Sequence, residues 1–151
     1  MVWGCMTAQG AGYATRIDGK MDAPLYVSIL GDELIKTMEF FNLNTNNIVF
    51  QQDNDPKHTS RLARKWFKDN KNELLEWPAQ SLDLNPIEYL WYQLKQRLAA
   101  YKEEPSSMHE LWERIEVEWD KITPEKCIII IEIMPRRVAA VIKAKDGDTK
   151  Y

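Results

Sequence analysis

The chain has 151 residues, enough for one domain with a sizeable core, and its 6 Trp, 6 Tyr and 4 Phe exclude a disordered protein. A net charge of −3 gives no overall attraction to nucleic acid, so any DNA contact needs a local basic surface or a further domain. The absence of a signal peptide, of an apolar run near the roughly 18 residues of a membrane span, and of closely spaced cysteines predicts a protein that is neither secreted nor membrane-bound.

The chain opens with two short apolar stretches, residues 1–7 and 12–18, which predict two strands of a hairpin or a meander. Asp18-Gly19 predicts a turn, and Asp22 predicts the N-cap of a helix with Pro24 in its first turn. The apolar stripe of that helix recurs at helical spacing: Tyr26, Ile29, Leu30, Leu34 and Met38.

A third strand is predicted at residues 48–51, "IVFQ", followed by a polar turn and a helix over residues 60–70. One face of this helix is apolar: Leu62, Ala63, Trp66 and Phe67. The opposite face is basic: Arg61, Arg64, Lys65 and Lys68. "ELLEW", residues 73–77, predicts a further strand. The order of two strands, helix, strand, helix, strand and helix is typical of an α/β layer protein.

The stretch "WPAQSLDLNPIEYLW" leads into a long helix. Asn85 is the predicted N-cap, Pro86 the first helical residue, and Glu88 stands three residues after the cap, where a capping box places its acid. The predicted apolar stripe comprises Ile87, Leu90, Trp91, Leu94, Leu98 and Tyr101. Ser107 and Thr123 predict the N-caps of two later helices. The run "CIIIIEIM" favours a strand by propensity but follows a helix start, and helix is the prediction.

Asp53 ends the third strand, and 34 residues separate it from Glu88 in the first turn of the long helix. Each acid has an ordinary interpretation: Asp53 as a turn residue, Glu88 as a capping residue. Together, however, they stand in motifs by which the chain closely resembles the catalytic domain of the Tc-one/mariner superfamily of transposases. The motifs are "VWGC", "VFQQDNDPKHTS", "EWPAQSLDLNPIEYLW", "LKQRL" and "MPRRVAAVIKAK".

The resemblance implies a ribonuclease-H-like fold, a mixed sheet flanked by helices, that cuts and joins DNA strands with an Asp-Asp-Glu triad. Asp53 matches the second Asp and Glu88 the final Glu of that triad, and both are the implied metal ligands. The implied cofactor is Mg²⁺ or Mn²⁺, because hard divalent cations prefer carboxylate oxygens. Asp55 of the same motif is expected to fix the turn. Lys57 and His58, together with the basic helix face, are candidates for nucleic-acid contact.

The resemblance also implies that the first Asp of the triad is missing. The acids before Asp53 fall in a turn, at a helix start or in a helix: Asp18, Asp22, Asp32, Glu33 and Glu39. We therefore expect residues 1–151 to be a partial catalytic domain without its first, central strand. Its core spans about residues 1–101 and its C-terminal helices about residues 105–145. Metal is expected to bind poorly, since two carboxylates remain.

Three functions stay open from the sequence. The chain is a catalytically inactive fragment of a cut-and-paste DNA transposase, or an active metal-dependent nuclease that needs further sequence or a complex. The alternative class is a host-recruited nucleic-acid-binding or protein-interaction module. The resemblance implies DNA, as transposon ends and target, for a partner, with homo-oligomers possible and the nucleus as location; it implies no small-molecule substrate and no membrane partner.

Overall fold

The computed structural model describes residues 1–76 and 84–144, so the predictions for residues 77–83 and 145–151 lie outside the described part. The described residues form two units. Those within Met1–Cys5 and Gly12–Ser81 make up the first, and those within Met6–Ala11 and Leu82–Tyr151 make up the second.

The strands within the described residues form two separate two-stranded sheets. Strands β1, Val2–Thr7, and β2, Gly10–Arg16, pair with each other as the predicted hairpin. Strands β3, Val49–Phe50, and β4, Glu73–Leu74, pair in parallel, with Val49 opposite Glu73 and Phe50 opposite Leu74. β3 and β4 are shorter than predicted, because a strand persists only where a neighbouring segment supplies hydrogen-bond partners.

The first helical segment carries the core of the first unit. Helix α1, Ala23–Ile29, continues through a π-helical turn, Leu30–Leu34, into helix α2, Ile35–Phe40. Asp22 caps α1 as predicted, since its carboxylate accepts the Leu25 N–H at 2.9 Å. The predicted apolar stripe is confirmed by the burial of all five of its members: Tyr26, Ile29, Leu30, Leu34 and Met38.

Helix α3, Arg61–Asp69, follows the polar turn and is capped by Ser60, whose hydroxyl accepts the Ala63 N–H at 3.1 Å. Ala63 and Phe67 are buried, and the Phe67 ring lies 5.1 Å from that of Phe50, which joins α3 to β3. The prediction that Leu62 belongs to the buried face is wrong, because this side chain is 44% exposed. Positions 63 and 67 are four residues apart and share one stripe, and Leu62 stands beside that stripe.

The second unit consists mainly of helices. They are α4, Pro86–Ala99, α5, Met108–Asp120, α6, Pro124–Glu132, and α7, Met134–Ala144. Ser107 and Thr123 make the predicted capping bonds, whereas the Asn85 side chain occupies the N-cap position of α4 without capping it. The isoleucine run is helical as predicted.

One cluster of buried side chains in the second unit joins helices α4 and α6. Leu90 of α4 packs with Cys127 and Ile130 of α6, and Met6 and Ile122 lie against them. Among the described residues no helix is long and apolar enough to cross a membrane.

Candidate functional site

Asp53 lies just after β3, where the polar turn begins. Its Oδ1 accepts the Asp55 backbone N–H at 3.1 Å, which closes an Asx turn, and lies 2.5 Å from Nδ1 of His58. The Asp53 side chain is 35% exposed, whereas the His58 side chain is only 15% exposed. The turn therefore brings a partly exposed carboxylate and a largely buried imidazole into direct contact.

His58 is held from two further directions. Its ring stands 4.3 Å from that of Tyr26, measured between centroids, and its backbone oxygen accepts a hydrogen bond from Nε2 of Gln52 at 3.1 Å. Gln52 in turn accepts the Tyr26 hydroxyl at 2.5 Å. Burial, and then the charge of Asp53, raises the pKa of Tyr26, so the hydroxyl keeps the proton that it donates.

Asp55 is the residue that shapes the turn, as its sequence context predicted. Its carboxylate accepts the Lys57 N–H at 3.0 Å and binds the Lys57 ammonium at 2.5 Å. Its backbone oxygen accepts the N–H groups of His58 and Thr59 at 2.9 and 3.0 Å. Although burial acts to raise it, the pKa of Asp55 is lowered, because Lys57 provides hydrogen bonds and a positive charge.

The residues suggested for nucleic-acid contact fall into two groups. Lys57 and His58 both have partners within the turn, Asp55 and Asp53 respectively. The four basic residues of α3 are all exposed: Arg61, Arg64, Lys65 and Lys68. Lys65 also pairs with Asp69 along the helix. The assignment of these six residues to nucleic-acid binding stays a prediction.

Glu88 lies in the first turn of α4 and is exposed. Glu118 of α5 is a buried acid whose carboxylate accepts the Tyr101 hydroxyl, just after α4, at 3.1 Å and binds Lys121, at the end of α5, at 2.6 Å. Arg97 of α4 donates to the Glu118 backbone oxygen at 3.1 Å. Glu88 thus sits on a helix that is firmly held in the second unit, and Asp53 belongs to the first unit.

The acids that precede Asp53 occupy the kinds of position that the sequence predicted. Asp18 pairs with Arg16 at 2.9 Å and is highly exposed, and Asp22 caps α1. Asp32, Glu33 and Glu39 lie in the π turn and α2. None of these five acids stands on a strand beside Asp53.

The donor groups fit a hard divalent cation in their chemistry. The hydrogen bonds that the Asp53 carboxylate receives from described residues all end on Oδ1. Oδ2 of this partly exposed side chain is therefore left for a ligand. The exposed carboxylate of Glu88 is of the same type, and Mg²⁺ usually takes one or two protein carboxylates beside water and phosphate oxygens. Within residues 1–76 and 84–144 no three His, Cys, Asp or Glu side chains cluster as a metal site.

Sequence reasoning missed the contacts that connect Tyr26 and Gln52 to the turn. Tyr26 was expected only to fill the core, although a buried tyrosine hydroxyl ordinarily needs a partner. The paired glutamines that follow β3 were the available signal, because a side-chain amide oxygen is suited to accept a hydrogen bond from such a hydroxyl.

Comparison with known proteins identifies the family of this chain. A family model described as "DDE superfamily endonuclease" matches residues 1–111. The chain is 42% identical over 151 residues to the "Transposable element Tcb1 transposase" of Caenorhabditis briggsae. The match covers all of this chain and 54% of that protein, so the chain spans about half the length of this relative.

Solved structures share the fold. The "Structure of Mos1 transposase catalytic domain and Raltegravir with Mg" superimposes with a TM-score of 0.86 at 21% identity, over 99% of this chain and 76% of that one. The "Mos1 transposase paired-end complex with left transposon end" gives 0.84 at 22% identity, over 99% and 44%. The fold is therefore the mixed α/β, ribonuclease-H-like fold of that catalytic domain. This chain belongs to the DDE superfamily endonucleases, in their Tc-one/mariner transposase branch.

Proposed function

We propose that this chain provides part of the catalytic centre of a cut-and-paste DNA transposase, in which Asp53 and Glu88 are metal ligands. The observation that supports this most is the carboxylate of Asp53, in the turn three residues after β3. Its Oδ1 is held by two hydrogen bonds, and its Oδ2 is not engaged by any described residue. A Mos1 transposase catalytic domain of this fold has been solved with Raltegravir and Mg, and a Mos1 transposase paired-end complex has been solved with the left transposon end.

The proposed reaction is phosphodiester cleavage followed by strand transfer. In such an in-line displacement, divalent cations, when bound, would activate the attacking oxygen and stabilise the charge that develops on the leaving oxygen. In this chain, His58 and the Asp55 N–H orient the Asp53 carboxylate, and α4 presents Glu88. The proposed partners are transposon-end and target DNA, with a homo-oligomer as assembly and the nucleus as place of action.

A chimera tests this proposal without depending on the length of the present chain. The matching 54% of the Tcb1 transposase is replaced by this chain, and excision of the transposon is measured. We expect excision that is lost on Asp53→Asn and on Glu88→Gln and retained on Glu104→Gln, a matched change at an exposed acid. A chimera that excises equally well with Glu88→Gln would contradict the role of Glu88.

We further propose that the 151-residue chain by itself does not cleave DNA. The support is that the family's first Asp has no counterpart on a strand beside Asp53 among the acids that precede it. Purified protein is incubated with supercoiled plasmid and Mg²⁺ or Mn²⁺, and nicking is followed on gels. Cleavage that disappears with Glu88→Gln would mean that another residue replaces the missing acid.

The alternative function, nucleic-acid binding without chemistry, is favoured by one feature, the exposed basic face of α3. Lys and Arg on one helix face neutralise phosphates, and log K falls with log[salt] by about 0.9 for each phosphate contacted on duplex DNA. We expect Arg61→Glu with Arg64→Glu to reduce that slope. Lys95→Glu, an exposed change on α4, is the control. An unchanged slope would remove this face from the candidates.

A further inference from the structure

The turn after β3 contains an imidazole whose two nitrogens have very different surroundings. Nδ1 of His58 lies 2.5 Å from Oδ1 of Asp53. Nε2 is buried and has no hydrogen-bond partner among the described residues. Since Nε2 is shut off from water, it is poorly placed to contact a phosphate directly. The one polar contact that the ring makes within the described chain is with Asp53.

This contact has a defined direction. The Asp53 carboxylate accepts, so Nδ1 carries the proton and donates it. The same Oδ1 accepts the Asp55 N–H at 3.1 Å. Two donors therefore converge on one carboxylate oxygen, and rotation of the carboxylate would break both bonds.

The ring itself is fixed by groups outside the turn. Tyr26 is 1% exposed, its ring packs on His58 with 4.3 Å between centroids, and its hydroxyl donates to Gln52 at 2.5 Å. Because the oxygen of the Gln52 amide accepts from Tyr26, its Nε2 is left to donate to the His58 backbone oxygen at 3.1 Å. A buried core tyrosine thereby contacts the His58 ring directly and the His58 backbone through Gln52.

We propose that His58 is a positioning residue for the metal ligand Asp53. It holds Oδ1 so that Oδ2 is the oxygen available to a divalent cation, and Tyr26 with Gln52 keeps the imidazole in place. The inference deepens the proposed function and rests on it, since it takes Asp53 as a ligand. Hydrogen-bonded partners of ligating groups typically contribute about 10–100-fold to metal affinity.

Two amide substitutions separate geometry from mere polarity. In His58→Asn the side-chain nitrogen occupies the place of Nδ1, one bond beyond Cγ, and it is able to donate to Asp53. In His58→Gln the nitrogen lies one bond further out, at the place of Nε2. Both variants lose the ring packing on Tyr26, so a purely structural role predicts the same effect for both.

The first measurement uses Mn²⁺ as the probe and NMR line broadening of the chimera described above, in which only the residues of this chain are isotope-labelled. Line broadening also reports weak binding. The quantity measured is the Mn²⁺ concentration at which the signals around Asp53 have lost half of their intensity, called here the half-broadening concentration. We expect it to rise about 10–100-fold in His58→Gln and to stay within about 3-fold of wild type in His58→Asn. His109→Gln, on a side chain 76% exposed, is the matched control and should change nothing. Suppose that wild type and His58→Gln have equal half-broadening concentrations and that Asp53→Asn abolishes the broadening. This result would overturn the positioning role of His58 and leave Asp53 supported as a metal ligand.

The same titration distinguishes failure of the underlying function. No broadening around Asp53 in the wild type, or wild-type broadening in Asp53→Asn, would refute Asp53 as a ligand and remove the basis of the inference. A second measurement needs no metal and is independent of the Mn²⁺ titration. In it, ¹H–¹⁵N spectra should report the Nδ1–H tautomer for His58. That tautomer should be lost in Asp53→Asn while the thermal unfolding midpoint and the His109 signals are retained. The opposite tautomer in the wild type would overturn the proposed contact.

Discussion

Gly12 of β2 lies directly against Thr37 of α2: a Cβ atom at position 12 would stand 2.5 Å from Cγ2 of Thr37. The Thr37 hydroxyl uses all of its hydrogen-bonding capacity in this contact region. It donates to the Glu33 backbone oxygen at 2.7 Å and accepts the Tyr13 N–H at 2.9 Å and the Cys5 thiol at 3.4 Å. A helix side chain thereby replaces a neighbouring strand as the partner of the Tyr13 N–H.

The first prediction is that Gly12→Ala destabilises the chain by about 1–3 kcal/mol, because the added methyl has no room and must displace Thr37. Gly31→Ala is the matched control. Its Cβ would meet only Nε1 of Trp66, at 3.9 Å, and alanine in a helix gains about 0.5–1 kcal/mol over glycine. Urea unfolding followed by far-UV circular dichroism measures both, and an equal response to the two changes would contradict the packing described here.

The second prediction concerns Trp91, which was expected from its apolar stripe to pack in the core. It is only half-buried, yet its ring stacks on that of Trp119, with 4.8 Å between centroids and 24° between planes. We expect Trp91→Ala to cost near the lower end of the about 3–5 kcal/mol typical of buried tryptophan truncation. Tyr92→Ala, on a neighbour 59% exposed, should leave the melting temperature nearly unchanged. Similar melting temperatures for wild type and Trp91→Ala would mean that the stack contributes little.

The third prediction is a pH dependence at Glu110. Hydrogen bonds from the Ser106 hydroxyl and N–H, and then from Arg114, lower the pKa of Glu110 to about 2. A pKa lowered on folding stabilises the fold above the unfolded value of 4.5, and this contribution is lost as the pH falls through about 2. Carboxylate NMR shifts should follow this titration in the wild type. In Ser106→Ala the midpoint should move toward 4.5, whereas an unmoved midpoint would assign the shift to other groups.

Local features were predictable where a few neighbouring residues decide them. The Asp22 and Ser107 caps and the buried stripe beginning at Tyr26 follow from spacing and residue type alone. The lengths of β3 and β4 were not predictable, because they depend on pairing between segments more than 20 residues apart.

In the candidate site, too, the sequence predicts what neighbouring residues decide and does not predict contacts between distant segments. The sequence of the polar turn indicated Asp53 and His58 as functional candidates. The hydrogen bond between them and the packing of Tyr26 on the His58 ring appear only in the folded chain. Tyr26 and Gln52 are 26 positions apart, and no periodicity within either segment indicates that they meet. Glu88 could be named from its motif, since the first turn of a helix is defined by residues close in sequence.

The fourth prediction is that Asp53 and Glu88 approach each other to within about 10 Å, since two carboxylates that share metals about 4 Å apart cannot lie further away. The double variant Asp53→Cys, Glu88→Cys should cross-link within one molecule through a short bismaleimide. Burial raises the pKa of both native thiols, Cys5 to about 11, so these should react little. Asp53→Cys alone is the control. If both introduced thiols react with the reagent but no cross-link forms, the prediction that Asp53 and Glu88 share one metal site would be refuted.

The last prediction is that residues 1–151 expressed alone are marginally stable or self-associate. Each strand in the described part of the chain has a single partner, so each of the two sheets has only two strands. An isolated two-stranded sheet is marginal in water, and unpaired strand edges are sites of association with other chains. Every buried backbone group left without a partner costs about 1–3 kcal/mol, so a few of them offset a typical domain stability of about 5–15 kcal/mol. Size exclusion and thermal unfolding test this: we expect oligomers or a broad transition. A monomer with one sharp cooperative transition would mean that the helices packed on both sheets, with side-chain partners such as Thr37, stabilise these short sheets sufficiently.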